Sequence, residues 1–357
     1  MPYLQSDANV KKISGYITKK VADRLTAIFK NNRSDFEEKW DDVKLFINYG
    51  MLTEEDFYGK MEKIALFKDT DGKYFTFDEY KKLIESNQTD KNGNIIYLYA
   101  NDKDEQYGYI ESAVSKGYNV LLMDNNLDVA VVGMLEQKLG NNIRFQRVDS
   151  DSIDKLIVKE DNATVALEYS LENMVTTLFN SQMPKLDKVD FNVNVQSMGE
   201  NALPIMIARS EYMRRMKEMA TIQSGMGFYG ELPDMMSVII NQDHKLVKRV
   251  MDEAGAACNS QVTPISNELE QLQAKADELK KSKEGKKEED VPENVKNELA
   301  DVEKQISDKE DSIKKIYSEY AAGNKVVHEL IDLALLQNGM LKGEALNSFI
   351  KRSVDLI

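Results

Sequence analysis

The chain has 357 residues, 42% hydrophobic and 30% charged, with a net charge of −14, and that length exceeds what one core usually serves, so two or three domains are expected. The acidic balance excludes nucleic acid as a main partner, because phosphate binding needs a basic surface. No apolar run reaches the roughly 18 residues of a membrane span, no signal-peptide core opens the chain, and the lone cysteine, Cys258, permits no internal disulfide and fits a reducing cytoplasm.

Residues 1–85 read as helices. Ser6 and Asp7 can cap a helix whose apolar positions Val10, Ile13, Ile17, Val21, Leu25 and Ile28 step by three and four. The opening "MPYLQSDANVKK" enters that helix at once, as an internal segment of a longer chain would. Phe36, Trp40, Val43 and Ile47 form a second stripe ending at Gly50, with Trp40 as a core anchor, and Thr53 with Asp56 resembles a capping pair for a third helix.

Over residues 86–158 the period changes. "NIIYLYA", "NVLLMD" and "NIRFQRV" are short apolar β-rich runs separated by helical stretches, which predicts a small, largely parallel sheet covered by helices, a three-layer α/β domain. Such a sheet can take a ligand at its carboxyl edge, but no glycine-rich phosphate loop follows its strands, which gives an enzyme little support.

From 159 to 357 the pattern is α+β. A helix over about 164–180 precedes a half-buried strand carrying Val189, Phe191, Val193 and Val195, then "LPIMIA" as a second strand. Next comes "EYMRRMKEMATIQSGMGFYGELPDMM", where six of the chain's 17 methionines fall. Met213, Met216 and Met219 recur at three-residue spacing and suit a buried helix face. Gly225, Gly227, Gly230 and Pro233 then break the helix while Met226, Phe228, Tyr229, Leu232, Met235 and Met236 keep the segment apolar. Packing and partner contact both remain open for it on composition alone. Asp243 is placed to cap a helix starting near His244.

Residues 261–321 carry two heptad runs, through Ile265, Leu269, Leu272, Ala276 and Leu279 and through Val295, Leu299, Val302 and Ile306. The charged "KKSKEGKKEEDVPE" lies between them, so an antiparallel coiled-coil hairpin is expected. The last segment, 324–357, reads as two amphipathic helices. Their apolar positions Val327, Leu330, Ile331, Ala334, Leu335, Leu346, Phe349, Ile350 and Val354 suit a homodimer seam, and docking within the chain would bury the same faces.

"YLQSDANVKKISGYITKKVADRL", "FEEKWDDVKLFINYGMLTEEDFY", "FTFDEYKKLIESNQTDKNGNIIYLYA", "GYNVLLMDNNLD" and "NQDHKLVKRV" occur in an order that resembles the ninety-kilodalton heat-shock chaperone family, in its bacterial form. The resemblance covers residues 2–258 and 322–357, leaving 261–321 as an insertion. It implies the later part of the family's middle domain followed by its carboxyl-terminal dimerisation domain: a cytoplasmic, homodimeric, ATP-dependent chaperone of the stress response that holds unfolded client proteins. ATP and magnesium belong to the full-length protein. Gln5 matches the family's γ-phosphate-facing glutamine, while Met1 stands where its arginine would be, so this stretch is expected to hold no nucleotide by itself. The family's client-contacting amphipathic helix and loop correspond to this Met-rich stretch, which implies contact through Met226, Phe228, Tyr229, Leu232, Met235 and Met236 and packing for Met213, Met216 and Met219, and Ala130 replaces a tryptophan that bacterial members use for the same purpose.

Other chemistry is weakly supported. Setting Gly72 at the sixth position of a calcium loop puts Phe67 first and Asp78 last, and His244 and His328 stand far apart with no third histidine. The competing expectation, from a different class, is a scaffold or adaptor that docks partners through the coiled-coil hairpin.

Overall fold

A computed structural model of the chain describes residues 8–159, 167–222, 233–283 and 292–356. These form two units: one from Met1–Ala163 with Ala208–Asp234, the other from Thr164–Ile207 with Met235–Ile357.

The first unit opens with α1 (Ala8–Asn31), α2 (Arg33–Glu38), α3 (Trp40–Thr53) and α4 (Glu55–Met61). The stripe expected as one helix over Phe36–Ile47 is broken at Lys39, which ends α2 and starts α3. Phe36 and Trp40 are both buried, with ring centroids 5.8 Å apart. Gly50 does not end α3. It lies inside the helix, against the Phe57 ring, so close that an added Cβ would come within 2.7 Å of that ring. The expected Thr53–Asp56 cap is not formed; the Thr53 hydroxyl donates to the Tyr49 carbonyl, and Glu54 is the N-cap of α4.

An antiparallel ribbon, β1 (Leu66–Lys68) with β2 (Tyr74–Thr76), interrupts the stretch read as wholly helical. Its turn is organised by buried Asp69, whose carboxylate accepts from the backbone of Asp71 and Lys73 and from the Asn119 amide. Gly72 supplies the positive φ of 83° that the turn requires. The calcium-like spacing of this stretch thus belongs to a hairpin turn. Thr76 and Glu79 make a reciprocal capping box that starts α5 (Phe77–Ile84).

The predicted parallel sheet is present. β3 (Ile95–Ala100) is central and pairs in parallel with β4 (Val120–Leu122) on one side and β5 (Ile143–Arg147) on the other, with α6 (Tyr107–Ser115) and α7 (Asp128–Lys138) in the connections. All six residues of β3 are buried, as a strand covered on both faces requires. A continuous core runs from Ala22 through Phe67, Tyr80 and Tyr97 to Phe145. The helices before residue 85 and the sheet after it share this core and belong to one unit.

The second unit contains α9 (Tyr169–Asn180), preceded in the chain by the short α8 (Ile153–Leu156) of the first. β6 (Val189–Gln196), β7 (Ile205–Arg209) and β8 (Asp234–Asn241) form a sheet of order β6-β8-β7, with α10 (Glu211–Ile222) between β7 and β8 in sequence. Four helices follow: α11 (Lys245–Lys283), α12 (Glu293–Gly323), α13 (Lys325–Gln337) and α14 (Gly343–Leu356). Asp243 does not cap α11. Its carboxylate accepts instead from the Ser197 hydroxyl and the Gly199 amide.

The hairpin expected at 261–321 has no structural break at its start, because α11 is one helix of 39 residues with Pro264 inside it. Its first half buries Val247, Val250, Ala254 and Cys258. Its second half pairs with α12 around a small core of Ala276, Leu299 and Val302, flanked by the ion pairs Lys275–Glu298 and Lys280–Glu303.

Asp128, at the start of α7, is buried beside Lys44 and accepts from the Asn125 amide. Burial dominates and raises its pKa to about 6. The folded state therefore holds the proton longer than the unfolded chain, and stability falls as pH rises from about 4 through about 6. A shift of this size corresponds to about 3 kcal/mol. Asp128→Asn is expected to keep the amide contact, remove that loss, and unfold at higher urea than the parent at pH 7.5 but not at pH 4. Fluorescence of Trp40, the single tryptophan, follows this unit; parallel midpoints for both proteins across that range would refute the assignment.

Candidate functional site

Three features stand where the sequence placed function: α10, the beginning of β8, and the tail helices. Gln5, Met226, Phe228, Tyr229 and Leu232 lie outside the described residues. Of the expected contact residues that are described, Met235 is 51% exposed while Met236, its neighbour on β8, is only 4% exposed and packs in the core of the second unit. The alternation of a strand sends the two side chains to opposite faces, so Met236 is corrected to a packing residue and, of these two described residues, Met235 is the exposed one.

Met213, Met216 and Met219 on α10 are half-buried and belong to no hydrophobic cluster among the described residues. Charge holds this helix instead. Arg215 reaches Glu136 of α7 at 2.9 Å, the Phe145 carbonyl of β5 at 2.6 Å and Glu211 at 2.6 Å. Arg214 donates to Glu211, Glu218 and the Tyr99 hydroxyl, and that hydroxyl donates to Glu211 at 2.9 Å. Burial disfavours the charged form of Glu211, but Arg214 and Arg215 outweigh it and leave its pKa lowered. Burial similarly opposes charge on Arg214, which the surrounding anionic groups nonetheless hold raised.

Tyr99 and Arg147 sit at the carboxyl ends of β3 and β5. Arg147 grips Asp149 with two nitrogens, at 2.5 and 2.7 Å, and reaches the Asn101 side chain. In open α/β sheets the carboxyl edge at a switch in strand order is where ligands bind. Here that edge is lined by side chains already bonded to one another and to α10. Among the described residues, no group of three or more His, Cys, Asp or Glu could hold a metal ion, and no helix is long and apolar enough to cross a membrane.

The tail divides the expected seam in two. Val327, Leu330, Ile331, Ala334 and Leu335 of α13 are between 0 and 4% exposed, packed in the core of their own unit. Phe349 of α14 joins that core and Leu346 packs against it. Side chains already buried in a single chain gain nothing from a second copy, so the α13 residues are corrected to core. What remains outward is Ile350 and Val354 of α14, 50% and 66% exposed, together with Leu333 and Leu336 on the outer side of α13. Arg352 locks the two helices to each other through Glu329 and Asp332. Leu333 and Leu336 lie off the inward stripe, and only the docking of α13 identifies them as the outer side.

The family model described as Hsp90 protein matches residues 2–269. The chain belongs to the Hsp90 family. Chaperone protein HtpG of Bacteroides thetaiotaomicron is 61% identical over 99% of this chain and 52% of its own length, and the HtpG of Porphyromonas gingivalis is 47% identical over the same shares. This Hsp90-family chain thus spans about half the length of the curated relatives it matches. HtpG of Bdellovibrio bacteriovorus is 28% identical over 49% of this chain and 29% of its own. A partial likeness, TM-score 0.33 at 13% identity over 41% of this chain and 61% of the other, is to the middle domain of a Plasmodium falciparum heat shock protein. The family match stops at residue 269, inside α11 and just past Pro264, while the Bacteroides and Porphyromonas relatives align across the hairpin.

Proposed function

We propose that this chain is the client-binding and dimer-forming part of a cytoplasmic, ATP-dependent chaperone that holds partly unfolded proteins between two copies of itself. The observation that carries the reading is the tail, where α13 is anchored in its own core and α14 still presents Ile350 and Val354 to the outside. Full burial of an aliphatic side chain contributes about 1.5–3 kcal/mol, so Leu333, Leu336, Ile350 and Val354 of two copies, each about half exposed, supply roughly 6–12 kcal/mol. Association costs about 4–15 kcal/mol, so a dimer resting on these four positions is concentration-dependent. Client contact is assigned to Met235 and to the segment before it, Met226, Phe228, Tyr229 and Leu232, because methionine and aromatic side chains adapt to many apolar shapes. ATP and magnesium act through the part of the full-length protein that this chain does not span.

Light scattering of the chain with and without residues 324–357 tests the seam, with a dimer that becomes a monomer as the expected result. The scaffold reading depends on the hairpin. Among the described residues, none of its large apolar side chains is exposed, so it offers charge and shape without an apolar docking face. Deleting residues 265–316 is therefore expected to leave suppression of client aggregation intact. Loss of that activity would move the function to the hairpin.

A further inference from the structure

The helix α3 is apolar on two sides. Its inward stripe, Trp40, Ile47 and Met51, is buried in the first unit, while a second set, Leu45, Phe46 and Tyr49, is 42%, 75% and 61% exposed. At 3.6 residues per turn, Leu45, Phe46 and Tyr49 share one face with Asp42 and Thr53, turned away from Ile47 and Met51. An aromatic side chain buries about 150–250 Å² when covered, so the two exposed rings leave roughly 200–340 Å² in water. With Leu45 added, that approaches the size at which an apolar patch marks a contact site.

The charges around the patch are of one sign. Asp42 lies one turn before Phe46, and Glu38 and Glu54 flank the helix; all three are exposed and have no ion-pair partner among the described residues. The nearby cations are already engaged, Lys39 by Asp35 and Lys44 by Asp41 and Asp124. A second copy would bring the same carboxylates to the seam, and the net charge of −14 adds to that repulsion. The complement is therefore apolar in its middle and basic at its ends. Asp42 to Glu54 covers about 18 Å of helix axis, room for a partner helix of about three turns, and the row formed by Leu45 and Tyr49 is the kind of ridge against which helices pack.

We propose that the outer face of α3 docks a cationic amphipathic helix of a second protein. Leu45, Phe46 and Tyr49 take its apolar face, and Glu38, Asp42 and Glu54 take lysine or arginine at its two ends. This surface shares no residue with the client-contact or dimer positions and stands apart from both readings. A contact of this extent is weak and transient, and its rim carboxylates select the partner more than they tighten it.

Fluorescence anisotropy on the whole chain tests the site, using a labelled helical peptide of leucine and lysine with apolar positions at i, i+3, i+4 and i+7 and lysines on both flanks. The unaltered chain is expected to bind it, and several-fold more weakly at 0.5 M than at 0.05 M salt. Phe46→Ala with Tyr49→Ala should weaken binding at least about tenfold, and so should scrambling the peptide at constant composition. Asp42→Lys with Glu54→Lys should reverse the preference, so that a peptide with glutamate in place of lysine binds better than the basic one. An unchanged urea midpoint by Trp40 fluorescence reports that each variant keeps its fold. Equal binding of the scrambled peptide, undiminished binding by the alanine variant, or no response to the charge reversal overturns the proposal. Two further results overturn it by naming another occupant. If the alanine variant sediments as a smaller species than the unaltered chain, the face belongs to a second copy; if this chain binds the peptide and the full-length protein does not, the face belongs to the rest of that protein.

Discussion

A chain carrying both Ile350→Asp and Val354→Asp should behave as a folded monomer at concentrations where the unaltered chain is a dimer. In an isologous seam each substitution counts twice, removing apolar burial and placing carboxylates opposite one another. Losing even half of the roughly 6–12 kcal/mol available from the exposed tail positions weakens association by at least about a hundredfold. The same change at Leu330 should act differently. Leu330 is buried in the core with Val175, Phe179 and Val250, so Leu330→Asp is expected to lower the melting temperature of the second unit itself. Sedimentation velocity with circular-dichroism melting separates the two outcomes. A double variant that stays dimeric places the seam elsewhere.

Removing the carboxylate of Asp149 should cost the first unit about 3–5 kcal/mol, because Arg147 would be left as a buried cation without its two-pronged partner. The side chains are only 6% and 12% exposed. Asn101 at 3.2 Å and Glu218 at 3.8 Å offer partial compensation, which favours the lower end of that range. The comparison is Asp71→Ala, whose pair with Lys73 is solvent-exposed on both sides and is worth less than about 1 kcal/mol. Because the chain has two units, one overall melting temperature is not a defined quantity. Trp40 fluorescence against urea isolates the unit concerned, and equal midpoints for the Asp149 and Asp71 variants would refute the argument.

Legibility in the sequence followed how local each decision is. The parallel sheet was readable because "NIIYLYA" and "NVLLMD" are apolar runs of strand length bounded by polar helical stretches. The β1–β2 ribbon was missed, although Gly72 marks its turn, since three-residue strands carry too little periodicity to register. The capping box of Thr76 and Glu79 has a legible spacing, a threonine followed three residues later by a glutamate. Gly50 misled for a different reason: a glycine at a helix end and a glycine under a distant aromatic ring look alike until Phe57 is in place.

The site divided in the same way. Neither Arg215 nor Glu136 is distinctive in sequence, and they lie 79 residues apart, so only folding makes them partners. The methionine spacing on α10 suggested packing, yet the ion network set which side of the helix meets the sheet. Met235 and Met236 were equivalent in composition and became opposite in role once β8 gave them opposite faces.

By itself the sequence determined the family, the α/β and α+β class, the heptad hairpin and the amphipathic tail. All of these depend on periodicity and local order, which a linear pattern records. Only the tertiary structure decided which apolar face each helix spends on its own core and which stays outside, as with Leu330 against Ile350. An amphipathic stripe fixes that a face will be buried; what buries it depends on neighbours brought together from distant parts of the chain.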